Sequence, residues 1–342
     1  SMVATNPMRL AMAVLSPILR LIQSLPNKHS THEADQHALA MRDWSDNEYH
    51  QIDRHCRFSG NIFDTTFGEL ISVTSETLEA SSLEQIGISA PDKVLLLHVQ
   101  SEKPVLLNGA FCDASIIHYS SAMPIHAVSE KPVHAYIITI DKQLFFDNMR
   151  GLETTNRFCL PFENFIEIGQ NLHNDVTSRL EQILTMSQDS YFEDSRIFET
   201  LEDLLEILSV IFLSGHKSAP PKGLFSNQSY VIQKCCQYLH NKIYEEISVQ
   251  DLCDYTRVSR RSLQSGFNSI FKINPKEYIK VVRLNRARQL IIRDPSIKIH
   301  NVALESGFNH FGRFSQYYQE FFGEPPSQTA TRRRKEYELF SS

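Results

Sequence analysis

Between residues 65 and 141, short apolar runs alternate with Gly, Pro, Asn, Asp and Ser. The runs Glu69–Val73, Lys93–Val99, Pro104–Leu107, Ala114–Tyr119 and Val133–Ile140 have strand length and close spacing, which predicts a β-sandwich or barrel. The period then changes. Leu172–Met186 and Arg196–Leu213 repeat apolar residues at three- and four-residue steps, the period of amphipathic helices. In the second helix Ile197, Leu201, Leu204, Leu205, Leu208, Ile211 and Phe212 make a stripe that must be covered, either by the strands or by a second copy in a homodimer. Gly and Pro at both ends of residues 214–224, with nothing large and apolar between, mark a linker. Beyond it the chain reads as helix throughout.

The helical part contains a repeat. Ile247–Phe267 aligns with Ile297–Tyr318, so that Leu252-Cys253 answers to Val302-Ala303, Val258 to Phe308, Leu263 to Phe314 and Phe267 to Tyr318. The offset grows from 50 to 51 residues at the turn, because the second unit holds one extra residue there. Each unit has the pattern of a helix-turn-helix. Ser248 with Asp251 forms a capping box ahead of the first helix, and Ser259 caps the second. In the other unit Gly307 supplies the tight turn and Asn309 is expected to cap. The prediction is a two-domain α+β chain: an extension over 1–30, a β-barrel or sandwich with flanking helices over 31–213, the linker at 214–224, and an all-α double helix-turn-helix domain over 225–335.

With Leu263, Phe267, Phe314 and Tyr318 turned inward, the opposite faces carry Ser259, Arg260, Arg261, Gln264 and Ser265 in the first unit. In the second they carry His310, Phe311, Arg313, Ser315 and Gln316. Arg pairs with guanine and Gln with adenine through two bonds in the major groove, so these ten are the candidate DNA-contacting residues. Pro275 to Arg293 reads as one long helix bracing the two heads, with Tyr278, Val281, Val282, Leu284, Ala287 and Leu290 inward and Arg283, Arg286 and Arg288 left for phosphates or solvent. Gly323-Glu-Pro-Pro326 closes the last core helix, and Arg332–Lys335 reads as a cationic tail.

Charge sharpens this picture. Of the overall −6, residues 225–342 hold 18 Lys and Arg against 11 Asp and Glu, a surplus of seven; the residues before them hold 16 basic and 29 acidic side chains. A basic end on an acidic body suits a nucleic-acid-binding head on a different kind of domain. Six cysteines without C-x-x-C spacing argue against a zinc ribbon or a secreted disulfide framework and predict a cytoplasmic location; Cys253 sits at a core position of the first repeat. Vicinal Cys235-Cys236 admit a redox role. Leu10–Leu15 is too short and interrupted to span a membrane or serve as a convincing signal peptide.

The strand region shows no G-x-S-x-G, Walker loop or dinucleotide fingerprint, so no catalytic residues and no enzyme are expected. His98, His118, His126 and His134 lie singly on different segments with no H-x-H pair, and no metal site is expected from them. A non-catalytic small-molecule pocket is the expectation, with Phe111, His118, Tyr119 and Tyr136 as candidate lining. Two alternatives stand beside it: a domain controlled by a partner protein, and a metal-dependent cupin enzyme fused to the DNA-binding module.

The repeats, the bridging helix and the Gly-x-Pro-Pro stretch together, over about residues 228–332, resemble the DNA-binding domain of the AraC/XylS family of bacterial transcription regulators. Within it, Val258-Ser-Arg-Arg-Ser-Leu-Gln264, Arg283-Leu-Asn285, Gly307-Phe-Asn-His-Phe-Gly-Arg-Phe314, Phe322–Thr329 and His37-Ala-Leu with Trp44 are similar to the ethanolamine-utilisation operon regulator subgroup. The resemblance implies a cupin-like N-terminal sensor barrel, helices that dimerise, DNA and RNA polymerase as partners, activation of nearby promoters, and ethanolamine with cobalamin as the inducing signal. No cofactor is otherwise indicated, and no D-x-H-x-x-G cobalamin motif is present. Lys272 replaces a common Gly after the first recognition unit, Gln316 a common basic residue, and Thr329-Ala330 a common Tyr-Arg pair. These departures touch the operator that is read more than the fold.

Overall fold

A computed structural model of the chain describes residues 24–54, 58–79, 82–121, 123–130, 132–153, 164–186, 194–215, 226–242 and 245–341. Most of the predicted linker, Cys56 and Cys159, and residues 1–23 of the predicted extension lie outside the described residues.

The N-terminal domain runs β1 (Ser24–Thr31), α1 (Ala34–Ala40), β2 (Trp44–Gln51), β3 (Gly60–Phe67), β4 (Ile71–Leu78), β5 (Leu83–Ser89), β6 (Lys93–Ser101), β7 (Val105–Leu107), β8 (Ala110–Cys112), β9 (Ile116–Ser120), β10 (Pro124–Ser129) and β11 (Val133–Asp141). It continues through α2 (Lys142–Glu153), β12 (Phe165–Glu167), α3 (Gln170–Met186) and α4 (Asp194–Gly215). The C-terminal domain is helical: α5 (Asn227–Asn241), α6 (Val249–Thr256), α7 (Arg260–Phe271), α8 (Pro275–Arg293), α9 (Ile299–Glu305), α10 (Phe311–Phe322) and α11 (Pro326–Ser341).

The strands form two sheets, a seven-stranded one in the order β1-β3-β4-β11-β6-β9-β12 and a five-stranded one in the order β2-β5-β10-β7-β8. Neither closes on itself among the described residues, so of the barrel or sandwich expected, the strands form an open two-sheet sandwich and not the closed barrel. β1 pairs antiparallel with β3, Ser24 opposite Phe67, and the sheet therefore begins inside the stretch read as an extension. Alternation along the strands decides the layers. Leu95, Leu97, Val133 and Ile137 of the larger sheet face Val105, Leu107, Cys112 and Ile125 of the smaller one. The other face of the larger sheet, with Val73, Leu96, Tyr136 and Ile138, is roofed by α2, α3 and α4.

Leu201, Leu204, Leu205, Leu208, Ile211 and Phe212 of α4 are all buried in that roof. Each such side chain contributes about 1.5–3 kcal/mol on burial, so these six residues of the stripe that suggested a dimer contact are covered within one chain; the Ile197 side chain lies outside the described residues.

The outer face of the five-stranded sheet carries the C-terminal domain. Ile52, Leu106 and Val128 share a core with Ile232, Leu239, Phe267, Tyr278 and Val282. The β7–β8 hairpin turns on Asn108-Gly109 with φ of 47° and 86°, a conformation the sheet's twist favours and that Asn-Gly adopts readily. Its Gly109 carbonyl accepts a hydrogen bond from Ser229 Oγ at 2.7 Å at the start of α5. A side chain at Gly109 would displace the Gln233 amide and would be strained at this positive φ.

Candidate nucleic-acid interface

The first helix-turn-helix forms as its caps dictate. Ser248 Oγ accepts from the Asp251 amide while Asp251 Oδ2 accepts from the Ser248 amide at 2.7 Å, and α6 starts there. Arg257 ends it in the left-handed region, φ 57°. Ser259 Oγ then accepts from the Ser262 amide at 3.2 Å and starts α7. Leu263 and Phe267 are fully buried, and this fixes the rotation of α7 so that Ser259, Arg260, Arg261, Gln264 and Ser265 are exposed.

In the second unit Gly307 turns the chain at φ 76°, with Arg283 Nε where a Cβ would stand 2.9 Å away. Phe314, Tyr318 and Phe321 of α10 are buried, leaving His310, Phe311, Arg313 and Gln316 exposed and Ser315 half-buried. The expected cap is corrected by one residue. His310 occupies the N-cap without a side-chain bond, and the Asn309 side-chain amide, one residue earlier, donates to Glu246 Oε1.

The two heads face one space. A cleft of about 810 Å³ is lined by Arg260 of α7, Lys276, Lys280 and Arg283 of α8, and His310 and Arg313 beside and on α10. Glu277 is the acidic member of the same lining. It sits 2.7 Å from Lys280 Nζ and 2.7 Å from Arg54 Nη2 of the N-terminal domain, ion pairs that hold its carboxyl below the usual range even against the opposing effect of burial. Gln264 lies on the other flank of α7, in a cleft it shares with Asp53 and Arg54. Arg261 and Ser265 line a third, against Gln228 of α5. The two lysines of α8 were not singled out in the sequence; their i, i+4 spacing beside the first head was the available signal.

Two expected phosphate contacts are instead internal. Arg288 is largely buried and bonded through Nε to Asp35 at 2.9 Å, with Glu33 at 3.5 Å and Glu324 at 3.4 Å. The Arg332–Lys335 run is part of α11 rather than a loose tail. Arg332 pairs with Glu324 at 2.9 Å and with Glu33, and Arg333 pairs with Glu336. Carboxylates brought in by tertiary folding claim Arg288 and Arg332, a competition no local sequence window displays, whereas the partner of Arg333 is its own i+3 neighbour.

The four candidate effector-lining residues do not converge. His118 points into the sandwich, 4.9 Å from the Phe165 ring. Tyr119, its neighbour, points to the opposite face against Phe212, as pleating requires. Tyr136 shares that helix-roofed face and donates to Glu181 Oε1 at 2.8 Å. Phe111 is exposed, on the outer face of β8. Cys235 and Cys236 are both buried, and burial pushes the Cys235 thiol up to about 12, which removes the basis for a redox role.

Residues 252–332 match the helix-turn-helix domain family. A XylDLEGF operon transcriptional activator of Pseudomonas putida is 32% identical over 118 residues, which cover 34% of this chain and 36% of that protein. The HTH-type transcriptional regulator GbdR of Pseudomonas aeruginosa is 33% identical over 111 residues, 32% of this chain and 30% of that one. The chain thus spans about a third of the length of the curated relatives it matches. A solved transcriptional regulator of Chromobacterium violaceum, described as having an AraC-type DNA-binding domain, is 30% identical. It covers 30% of this chain and 91% of that one, with a TM-score of 0.29.

Proposed function

With a C-terminal third that is a helix-turn-helix DNA-binding domain of the AraC/XylS kind, we propose that the whole chain is a sequence-specific transcription regulator controlled by its N-terminal domain. The observation that carries the reading is the shared cleft: the polar starts of α7 and α10 open on one cationic space while their aromatic flanks are buried. A duplex laid across it places Arg260, Arg261 and Gln264 in one major groove and Arg313, Phe311 and Gln316 in the next, roughly ten base pairs on. Lys276, Lys280 and Arg283 then meet the phosphates between. Ser259, Ser265, His310 and Ser315 flank these contacts.

The two-sheet domain is read as a cupin-like sensor with no catalytic role. Its effector is a small molecule, and an amine such as ethanolamine suits the cleft of about 730 Å³ between the domains, where Glu33, Asp35 and Glu324 face Arg288, Arg332 and Tyr49. An ammonium group there competes with the arginines for their carboxylates. A tenfold shift between docked and released heads needs about 1.4 kcal/mol of differential affinity. RNA polymerase is the partner of an activator so placed.

The test is protection mapping on the DNA upstream of the chain's own gene, with and without ethanolamine. Two protected patches one helical turn apart, changed by the effector, support the reading. Uniform coating without sequence preference would sink it.

A further inference from the structure

On the outer face of the five-stranded sheet, three strands send chemistry toward the C-terminal domain: β2 carries Glu48 and His50, β5 Glu84, and β10 His126. Helix α5 meets them with His240, and α8 with Tyr278 and Gln289. Glu84, fully buried, is the centre. His126 Nε2 lies 2.6 Å from its Oε1, the Tyr278 hydroxyl donates to the same oxygen at 2.5 Å, His50 Nδ1 lies 3.4 Å from Oε2, and His240 Nε2 lies 3.7 Å from Oε1. We propose that His50, Glu84 and His240 form a binding site for a divalent transition-metal ion, zinc by its ligand chemistry, that fastens α5 of the C-terminal domain to the sensor sheet.

Three observations carry this. First, the ligating atoms of His50, Glu84 and His240 all lie within 4.8 Å of one another, with two imidazoles and a carboxylate drawn from both domains. Second, the 3.4 and 3.7 Å separations exceed a good N–H···O bond of about 2.7–3.2 Å. They approach the spacing of about 3.3–3.5 Å between ligands on a tetrahedral zinc with bonds of about 2.0–2.2 Å. Third, His240 Nε2 is buried and has no hydrogen-bond partner among the described residues, although it is aimed at the carboxylate 3.7 Å away. A ring nitrogen withdrawn from water without a partner is costly, and a metal ion would satisfy it.

The surroundings are those of a ligand set. His50 Nε2 lies 3.3 Å from Glu48 Oε2 and 3.0 Å from the Gln289 amide, whose buried oxygen is otherwise without a partner. With that oxygen turned to His50, the Nε2 proton is held by Gln289 and Glu48, and the Nδ1 lone pair is left for the metal. This is the carboxylate–histidine–metal arrangement that fixes tautomer and orientation at zinc sites. His126 and Tyr278 orient the Glu84 carboxylate without ligating. Cys236 lies within reach of Glu84 and His126, a second grouping around the same carboxylate that draws on the same two domains. The site is distinct from the strand histidines His98, His118 and His134, and two of its members, His50 and His240, lie outside the segment where a metal set was sought in the sequence.

The test uses the full chain, stripped with a chelator and titrated with Co²⁺ and then Zn²⁺. The expected result is one equivalent of cobalt with the visible absorption of a tetrahedral site, displaced by zinc, and a rise in melting temperature on zinc binding. His50→Ala and His240→Ala, each verified as folded by circular dichroism, should weaken zinc at least about 100-fold in competition with a chromophoric chelator. His134→Ala should leave the affinity unchanged. No binding by the folded wild-type chain, an affinity that survives His240→Ala, or one that falls only on Cys236→Ser overturns the proposal. Metal and DNA binding are measured separately, so failure of one leaves the other standing.

Discussion

Tyr278 and Glu84, 194 residues apart, share a hydrogen bond of 2.5 Å in which the phenol donates to the buried carboxylate. The helix that braces the two reading heads is therefore tied to β5 of the five-stranded sheet. Successive turns of α8 repeat the attachment: Asn285 Nδ2 donates to the Gln51 carbonyl at 3.0 Å, and Gln289 meets His50. Because both heads pack on α8, a change in docking reaches both together. Tyr278→Phe removes the donor and leaves Glu84 short of a partner; the expected loss is about 1.5–3 kcal/mol, read as a lower midpoint in urea. An unchanged midpoint would show that the bond contributes nothing to docking.

Arg261 and Arg313 are exposed and sit near the starts of the two recognition helices. Replacing either with Ala should cost about 1–3 kcal/mol on the specific site and much less on random DNA at the same salt. Fluorescence anisotropy with both duplexes separates the cases, since equal losses would assign the side chain to phosphates alone.

Arg288 makes the opposite prediction. Its guanidinium is surrounded by Asp35, Glu33 and Glu324, and Arg288→Ala leaves Asp35 without a cation and Glu33 and Glu324 with Arg332 alone in a largely buried site. Stability should fall by about 3–5 kcal/mol, while the salt dependence of DNA binding by the remaining folded protein stays as it was. A shallower salt slope would instead place Arg288 on the phosphate backbone.

His118 sets an acid limit. Burial pushes its ring down to about 3, and Nε2 accepts from the Asn108 amide at 3.3 Å, so the native ring is neutral. Below about 6.5 the unfolded chain takes up a proton that the native chain refuses. This group's share of the stability is thus complete above that pH, is lost progressively as pH falls toward 3, and amounts to about 1.4 kcal/mol per pH unit. His118→Asn should flatten the stability profile between about pH 4 and 6 by that slope, measured in urea at several pH values. Parallel profiles would contradict the assignment.

Much of the C-terminal domain was legible because its information is local. Ser248, Asp251, Ser259 and Gly307 act on backbone within a few residues of themselves, and Leu263, Phe267, Phe314 and Tyr318 reveal their burial by helical spacing. Local information also had limits that could have been respected: adjacent His118 and Tyr119 on one strand cannot line one cavity.

From the sequence alone came the strand-rich body, the helical end, the duplicated reading unit and the face that carries its candidate contact residues, nine of the ten exposed and Ser315 half-buried, since hydrophobic period and capping chemistry are read over a turn or two of backbone. Tertiary structure decided that the sheets stay open, that α4 is covered within its own chain, and that Arg288 and Arg332 meet carboxylates instead of phosphates. It also decided that Glu84 gathers His50, His126, His240 and Tyr278 from both domains. Those outcomes depend on which surfaces come to face each other across a hundred residues or more, where pairing of buried charge and exclusion of water choose among partners that the linear pattern leaves equivalent.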